Sequence, residues 1–386
     1  MSNRIAQLEN ILVGIAESLD IPPSKHKQAV DRYKSIGSWI EDGSYLGVQD
    51  IPEVYPQGSF RLGTVVRPIK DGKESDYDID LVTELALEQN ETTPKKVKHL
   101  IGDRLKEHGT YRPMLDKEGK RCWTIEYAEE DKVGFHVDVL PTIPKNNGIP
   151  HAIHITDKNK DTEQYNWKSS NPKGYAEWFD ERKYYAYRLV EKKQREILQK
   201  NFSEIYAKVE DVPDQLIKTP LQRVIQLLKR HRDIRFNGAP NEKDKPISMI
   251  ITTLSANAYA SETDVFSAFW NIINNIKRLK KENSIWYIPN PVDPEENFAD
   301  RWHEDNDRKA KAFFKWIEWV EADLHQALQQ IEPENMQTAF SKLFGQRPVN
   351  ESFRKSGLLN ISIAPTVISR PHIEITKPSK PWRIYD

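Results

Sequence analysis

Between Gln57 and Val82 the chain joins a small-residue turn, Gly58-Ser59, to a run with aspartates at every second position, Asp76, Asp78 and Asp80, ahead of the apolar pair Leu81-Val82. Successive side chains of a strand point to opposite faces, so the three acids share one face while Tyr77, Ile79 and Leu81 share the other. The apolar back predicts burial in a sheet, and the acidic front predicts a surface that looks outward. Two carboxylates about 4 Å apart repel by roughly 4 kcal/mol at an effective dielectric constant of about 20. Stacking them makes sense mainly where a divalent cation takes up the charge.

A further acid has the same surroundings. In the segment from Gly134 to Pro141, Asp138 lies between Val137 and Val139, so alternation sends the valines to the core and Asp138 to the opposite face with His136. Oxygen ligands without a Cys/His cluster favour Mg²⁺ or Mn²⁺ over zinc, the usual arrangement for phosphoryl chemistry. Upstream, Gly58 allows close approach of the backbone to a phosphate, Ser59 offers a hydroxyl beside backbone N–H groups, and Arg61 adds a positive charge. Taken alone, that turn reads better as a strand-to-helix connection with a serine cap; placed before the aspartate strand, it reads as the triphosphate cradle.

Gly-Ser, then an Asp-x-Asp strand, then a separate apolar-Asp-apolar strand resembles the DNA polymerase β-type nucleotidyltransferase superfamily. Within it the chain looks like the cyclic GMP-AMP synthase and DncV-like branch, the bacterial CD-NTases of CBASS anti-phage systems. The likeness extends to Ser170–Phe179, to Thr219-Pro220-Leu221-Gln222 and to the run from Asn290 to Phe298. It implies an α+β fold: a polymerase β-like core with a mixed β-sheet and a helical second lobe. By that resemblance the pair next to the apolar continuation, Asp78 and Asp80, joins Asp138 as the catalytic, metal-holding set for two Mg²⁺ (or Mn²⁺) ions. Asp76, following Ser75 in a polar turn, is the second choice, because an aspartate there readily caps its own backbone. The segment from Gln57 to Gly63 would hold the donor nucleotide, with Ser59 nearest its terminal phosphates.

The length of 386 residues suggests two domains or one with a large partner lobe. With 57 basic and 58 acidic residues, the formal net charge of −1 argues against a general nucleic-acid binder. Cys122 is the only cysteine, so no disulfide framework and no Cys-based zinc site is expected. That absence also makes nucleic-acid activation of the kind seen in the animal enzyme a poor fit. No apolar run reads as a signal peptide or membrane span, and a cytoplasmic location is expected.

Apolar periodicity predicts helices over Asn3–Leu19 and Ser24–Glu41, separated by Pro22-Pro23, and Pro94 to His108 reads as a third. Tyr111–Leu115 and Arg121–Tyr127 read as strands joined by a hairpin-type connection. Arg121 is placed like a basic nucleotide contact of some family members, and equally like a solvated hairpin arginine. From Ser170 long helices take over, so the expected division is 1–165 for the catalytic core with its bracing helices, 166–368 for the helical lobe that completes the nucleotide pocket, and 369–386 for an extended tail. Helices are expected from Asn171-Pro172 towards Phe202, after Pro220, over Asp264–Leu279 and over Ala312–Ile331. Lys229 borders the apolar face of the helix after Pro220, where a basic run also suits the helix dipole. The family places a lysine there and a serine at the start of the next helix, both on donor phosphates, and Lys229 and Ser248 match in order and approximate spacing.

The resemblance implies nucleotidyl transfer from NTPs, chiefly ATP and GTP, to a sugar hydroxyl with release of pyrophosphate, then a second transfer that closes a cyclic di- or trinucleotide. The messenger would activate a separate anti-phage effector. Some members have a regulatory partner or present the C-terminus to a ligation machinery, for which Arg383-Ile384-Tyr385-Asp386 gives no independent support. A linear-product enzyme, like oligoadenylate synthetase or one that modifies RNA or protein, is the alternative.

Overall fold

The alternating run from Tyr77 to Glu84 becomes a central strand in the computed structural model, which describes residues 2–358 apart from 71, 131–132 and 305. The extended tail expected over 369–386, and residues 359–368 of the second lobe, lie outside the described residues. Two helices open the chain, α1 (Ser2–Glu17) and α2 (Pro23–Glu41). After them come β1 (Glu53–Gln57), the short α3 (Gly58–Leu62), a small hairpin of β2 (Ile69–Lys70) and β3 (Lys73–Glu74), and the acidic strand β4 (Tyr77–Glu84). Next are α4 (Pro94–Glu107), β5 (Trp123–Glu130), β6 (Val133–Pro144), β7 (Ile153–Lys158) and β8 (Tyr165–Ser170). The remainder is helical, α5 (Pro172–Asn201), α6 (Pro220–Phe236), α7 (Ser248–Ala258) and α8 (Val265–Ile276), then the two-strand insert β9 (Pro289–Asn290) and β10 (Asp293–Asn297), and finally α9 (Arg308–Leu328), α10 (Pro333–Phe344) and α11 (Gln346–Lys355).

The sheet runs β1-β4-β6-β7-β8, with β5 pairing β6 beside β7. Only β4 and β6 are parallel, and parallel neighbours need a crossover, which α4 provides. Their register sets Asp78 opposite His136 and Asp80 opposite Asp138. Tyr77, Ile79 and Leu81 are buried on the other face with Val97, Ile101 and Leu105 of α4 and Ile36 and Ile40 of α2. This alternation makes one face a core and leaves the other for chemistry.

A second core joins Tyr175, Ala176 and Phe179 of α5 to the apolar faces of α6 to α11. Leu8, Ile11, Leu12 and Ile15 of α1 belong to it, so the first helix packs into the helical lobe while α2 packs under the sheet. At about 1.5–3 kcal/mol for each fully buried large apolar side chain, the α1 face is a substantial tie between the chain's beginning and its second lobe.

Two expectations from sequence change. Tyr111–Leu115 is no strand: residues Arg112–Met114 form a 3₁₀ turn and Leu115 makes a single bridge to Ile125. Pro113 cannot donate to a ladder, and Tyr111 is instead buried, its ring stacked on His108 at 4.0 Å. The Gly58-Ser59 turn is a strand-to-helix connection, but without the serine cap: Gln57 is the cap residue, no side chain caps the helix, and Gly63 closes it in the left-handed region at φ 65°.

His26 of α2 stacks on Phe60 of α3 at 4.8 Å, is 2% exposed, and its Nε2 has no hydrogen-bond partner. Burial first, and Lys218 second, push its pKa down to about 4. A base whose folded pKa lies below its unfolded value stabilises fully above pH 6.5 and loses that contribution as pH falls towards 4, about 3 kcal/mol in total. His26→Phe should flatten the acid limb of stability between pH 7 and pH 4, measured by urea unfolding; an unchanged slope would assign it elsewhere.

Candidate active site

Gly58 opens the site because only glycine fits there. Its φ is +62°, and a Cβ would stand 2.3 Å from Asp80 Oδ2, closer than any substituent tolerates. The turn is thus pressed against the acidic strand, with Gln57 in register with Asp80 across the β1–β4 ladder. Asp80 is nearly enclosed: burial, then Asp138 and Asp78, push its carboxyl up to about 7, with Lys229 opposing. Asp78 stands nearer the opening with 63% of its side chain accessible. The cleft walls still raise its carboxyl, His136 counteracts, and Asp138, Asp76 and Asp233 add to the rise. Asp138 Oδ1 accepts the Thr124 hydroxyl at 2.5 Å from β5, which fixes that carboxylate and leaves Oδ2 outside that bond.

Asp76 has a different task from the one its sequence position suggests. Its carboxylate does not cap its own turn but accepts Gly134 N at 2.8 Å and lies 3.3 Å from His136 Nε2. It therefore clamps the start of β6 to β4. Among the described residues no three carboxylate, imidazole or thiolate groups stand close enough to count as a formed metal cluster. Asp78, Asp80 and Asp138 nevertheless share one face, and their mutual repulsion is the electrostatics that a divalent cation relieves.

The helical lobe reaches this turn through one face of α6 and through Lys218 just ahead of its cap. Gln222 donates to Leu62 O at 2.9 Å, Lys218 to Gly63 O at 2.6 Å, Lys229 to Thr64 O at 3.1 Å and Gln226 to Val65 O at 3.1 Å. Four consecutive carbonyls after the glycine-serine turn are thus taken up, three by α6 side chains at helical spacing and one by Lys218 before the cap. Thr219 and Gln222 form a capping box at the start of α6, so the same glutamine caps its helix and holds the turn. Burial first, with Arg232 second, brings the Lys229 ammonium down to about 7, against the pull of Asp233 and Asp80. Burial brings Lys218 to about 8. Lys218 and Gln226 were not singled out from sequence, and Gln222 only within the Thr219–Gln222 helix start; the polar stripe on an otherwise apolar helix was the signal.

Other expected contacts are dispersed along the cleft. Gln57, Gly58, Arg61 and Asp80 line a cavity of about 160 Å³ whose far wall is Tyr175, Met249 and Phe298. Arg61 also pairs with Asp180 at 2.8 Å. Arg121 lines an adjoining cavity of about 660 Å³ and pairs with Asp157 at 2.8 Å. Ser248 accepts from Arg232 at 2.9 Å, one step back from the cavity behind Met249, and is not brought to the carboxylates. Asn290, Glu296 and Phe298, from the β9–β10 insert, complete the wall. Burial raises the Glu296 carboxyl, while Asn290 and Ser170 hold it down.

A glycine-serine turn leading to paired aspartates, a third aspartate on the parallel neighbour, and a helical lobe facing them define a polymerase β-type nucleotidyltransferase. Residues 8–183 match the Second Messenger Oligonucleotide or Dinucleotide Synthetase domain. The chain is 32% identical over 305 residues to a c-di-GMP synthase of Roseivirga ehrenbergii, covering 78% of this chain and 74% of that protein. It is 26% identical over 381 residues to the cyclic dinucleotide synthase CdnG of Bradyrhizobium diazoefficiens, covering 95% and 86%. The fold matches the solved structure of CdnG from that organism in complex with GTP, with a TM-score of 0.70 at 23% identity over 91% of this chain and 99% of that one. The chain belongs to this family of second-messenger synthetases, the CD-NTases, and is a nucleotidyltransferase.

Two outcomes follow from the geometry. Gly58→Ala forces the turn off Asp80, and since a misplacement of about 1 Å can cost about 100-fold, pyrophosphate release should fall by about that factor while the protein stays folded. Gln222→Leu leaves the Leu62 carbonyl buried without a donor, a loss of about 1–3 kcal/mol that a denaturant titration should read.

Proposed function

We propose that the protein makes a cyclic oligonucleotide messenger from purine nucleoside triphosphates, with GTP among its substrates, for anti-phage defence. The observation that supports this best is the convergence of Gly58, Asp80, Asp78 and Asp138 on one face of the sheet, opposite α6. The names of the two relatives support the cyclic product and guanine nucleotides.

Asp78, Asp80 and Asp138 are the residues that would hold two Mg²⁺ or Mn²⁺ ions, which supply charge neutralisation at the donor α-phosphate and the leaving pyrophosphate. The chain's own groups account for the remainder. Backbone N–H groups at Gly58 and Ser59, with the Ser59 hydroxyl, bind the triphosphate, and α6 keeps that turn in place through Leu62–Val65. Asp138 Oδ2 takes the proton of the acceptor hydroxyl. A bond then forms from that oxygen to the α-phosphorus as the bond to pyrophosphate breaks, and a second transfer of the same kind closes the ring. Arg121 adds positive charge along the cleft, while the buried Lys229 holds the turn through Thr64. The messenger would act on a separate effector, with a regulatory partner or ligation machinery controlling the enzyme in the cytoplasm. Among the described residues no helix is long and apolar enough to cross a membrane.

The decisive experiment incubates the purified protein with the four labelled NTPs and Mg²⁺ or Mn²⁺, followed by phosphatase treatment and mass spectrometry, beside the Asp78→Ala/Asp80→Ala double variant. A phosphatase-resistant cyclic species made by the wild type alone is expected. A linear product ending in a triphosphate, trimmed by phosphatase, would replace the cyclic reading with the linear one.

A further inference from the structure

Glu296 takes no part in the chemistry above, yet it stands where the two cavities meet. With Phe298 it lines both, the smaller against Gly58 and Asp80 and the larger against Arg121. Its carboxylate accepts Asn290 Nδ2 at 2.8 Å and the Ser170 hydroxyl at 3.1 and 3.2 Å. Both donors are neutral, and a carboxylate has about four lone-pair sites, so acceptor capacity remains on the cavity side. The carboxylate is also held still. Asn290 is 2% exposed and its Oδ1 accepts Val292 N at 3.1 Å, while Ser170 ends β8 just before the α5 cap. Its neighbours of like charge are otherwise engaged: Lys145 draws Glu295 aside at 2.6 Å, and Asp293 is fully buried on Ser169.

We propose that Glu296 reads the Watson–Crick edge of a guanine base held between the lobes. Guanine presents its N1–H and 2-amino donors side by side, a match for paired carboxylate oxygens, whereas adenine turns an acceptor at N1 towards the same place. The half-buried acceptor therefore selects by leaving its remaining capacity unmet against the wrong base. Phe298 offers an apolar face that any base can stack on, so it adds affinity without choice. The inference deepens the proposed function by naming the residue that makes the pocket guanine-selective.

The test measures binding to the full chain of α,β-methylene analogues of GTP, ITP and ATP, which cannot be turned over; the inosine analogue lacks only the 2-amino group. Wild type should bind the guanosine analogue at least about tenfold tighter than either of the others, which corresponds to about 1.4 kcal/mol. Glu296→Gln should compress both ratios to within about twofold. Equal weakening of all three analogues in the variant would make Glu296 a structural residue and overturn the inference. So would a wild type without preference for guanosine, a result that needs no variant to fold. Cyclic product formed without guanosine preference sinks the inference alone, guanosine preference without cyclic product sinks the synthase reading alone, and binding of none of the analogues sinks both.

Discussion

The parallel pairing of β4 with β6 decides where every other part of this protein has to be. It sets Asp80 beside Asp138 and Asp78 beside His136, and with one face of β4 already spent on the core, the acids have a single side on which to stand. Their proximity is unfavourable: burial and the neighbouring carboxylates raise Asp80 to about 7. Whatever positive charge enters the cleft is favoured by the same repulsion, since a shift of one pH unit corresponds to about 1.4 kcal/mol. A strained arrangement of this kind persists because the surrounding structure over-determines it. Thr124 fixes Asp138, Asp76 clamps the two strands at Gly134, and the missing side chain of Gly58 lets the turn close on Asp80.

The turn itself would be a weak element without the second lobe. A five-residue helix has most of its backbone carbonyls unsatisfied, and α3 is followed by a loop that packs inward. Gln222, Gln226 and Lys229 of α6 and Lys218 just before it meet that need, one carbonyl each from Leu62 to Val65. Burying two lysines for this purpose lowers both ammonium pKa values, so the arrangement is chosen at a desolvation cost that four carbonyl acceptors offset. The lobes are thereby coupled through hydrogen bonds at the place where triphosphate is proposed to bind, and any rotation of α6 against the sheet must move the phosphate turn with it.

Much of this was legible in the chain. Alternation alone placed Asp78, Asp80 and Asp138 on one face, because period two leaves no other arrangement once Ile79, Leu81, Val137 and Val139 are in the core. Helix starts with proline at the first turn, at Pro94, Pro172 and Pro220, fell where Asn171, Thr93 and Thr219 cap them. Tyr111–Leu115 failed because its apolar spacing outvoted Pro113, and Asp76 failed because a cap to its own backbone and a clamp to a distant strand use the same oxygen. The α6 stripe went unread for a similar reason: glutamines and lysines at helical spacing describe a solvated face until the partner carbonyls, some 155 residues away in sequence at the Lys218–Gly63 contact, are known.

The proposed function and the proposed reading of Glu296 assign chemistry and choice of base to different parts of the chain. The carboxylates sit on a sheet whose register is fixed by pairing on both sides, and little there can change without loss of the strand. The far wall of the cleft comes from the β9–β10 insert, two short strands with an irregular register between Asp293 and Asn297, tied back to the sheet by Ser169 and Ser170. Such a segment tolerates substitution far better than a central strand, and its Asn290, Glu296 and Phe298 line the cavity away from the acid cluster's own strands. If Glu296 reads the base as proposed, a synthetase built in this way can alter which nucleotide it accepts there while the acid cluster, the glycine turn and the α6 contacts stay as they are.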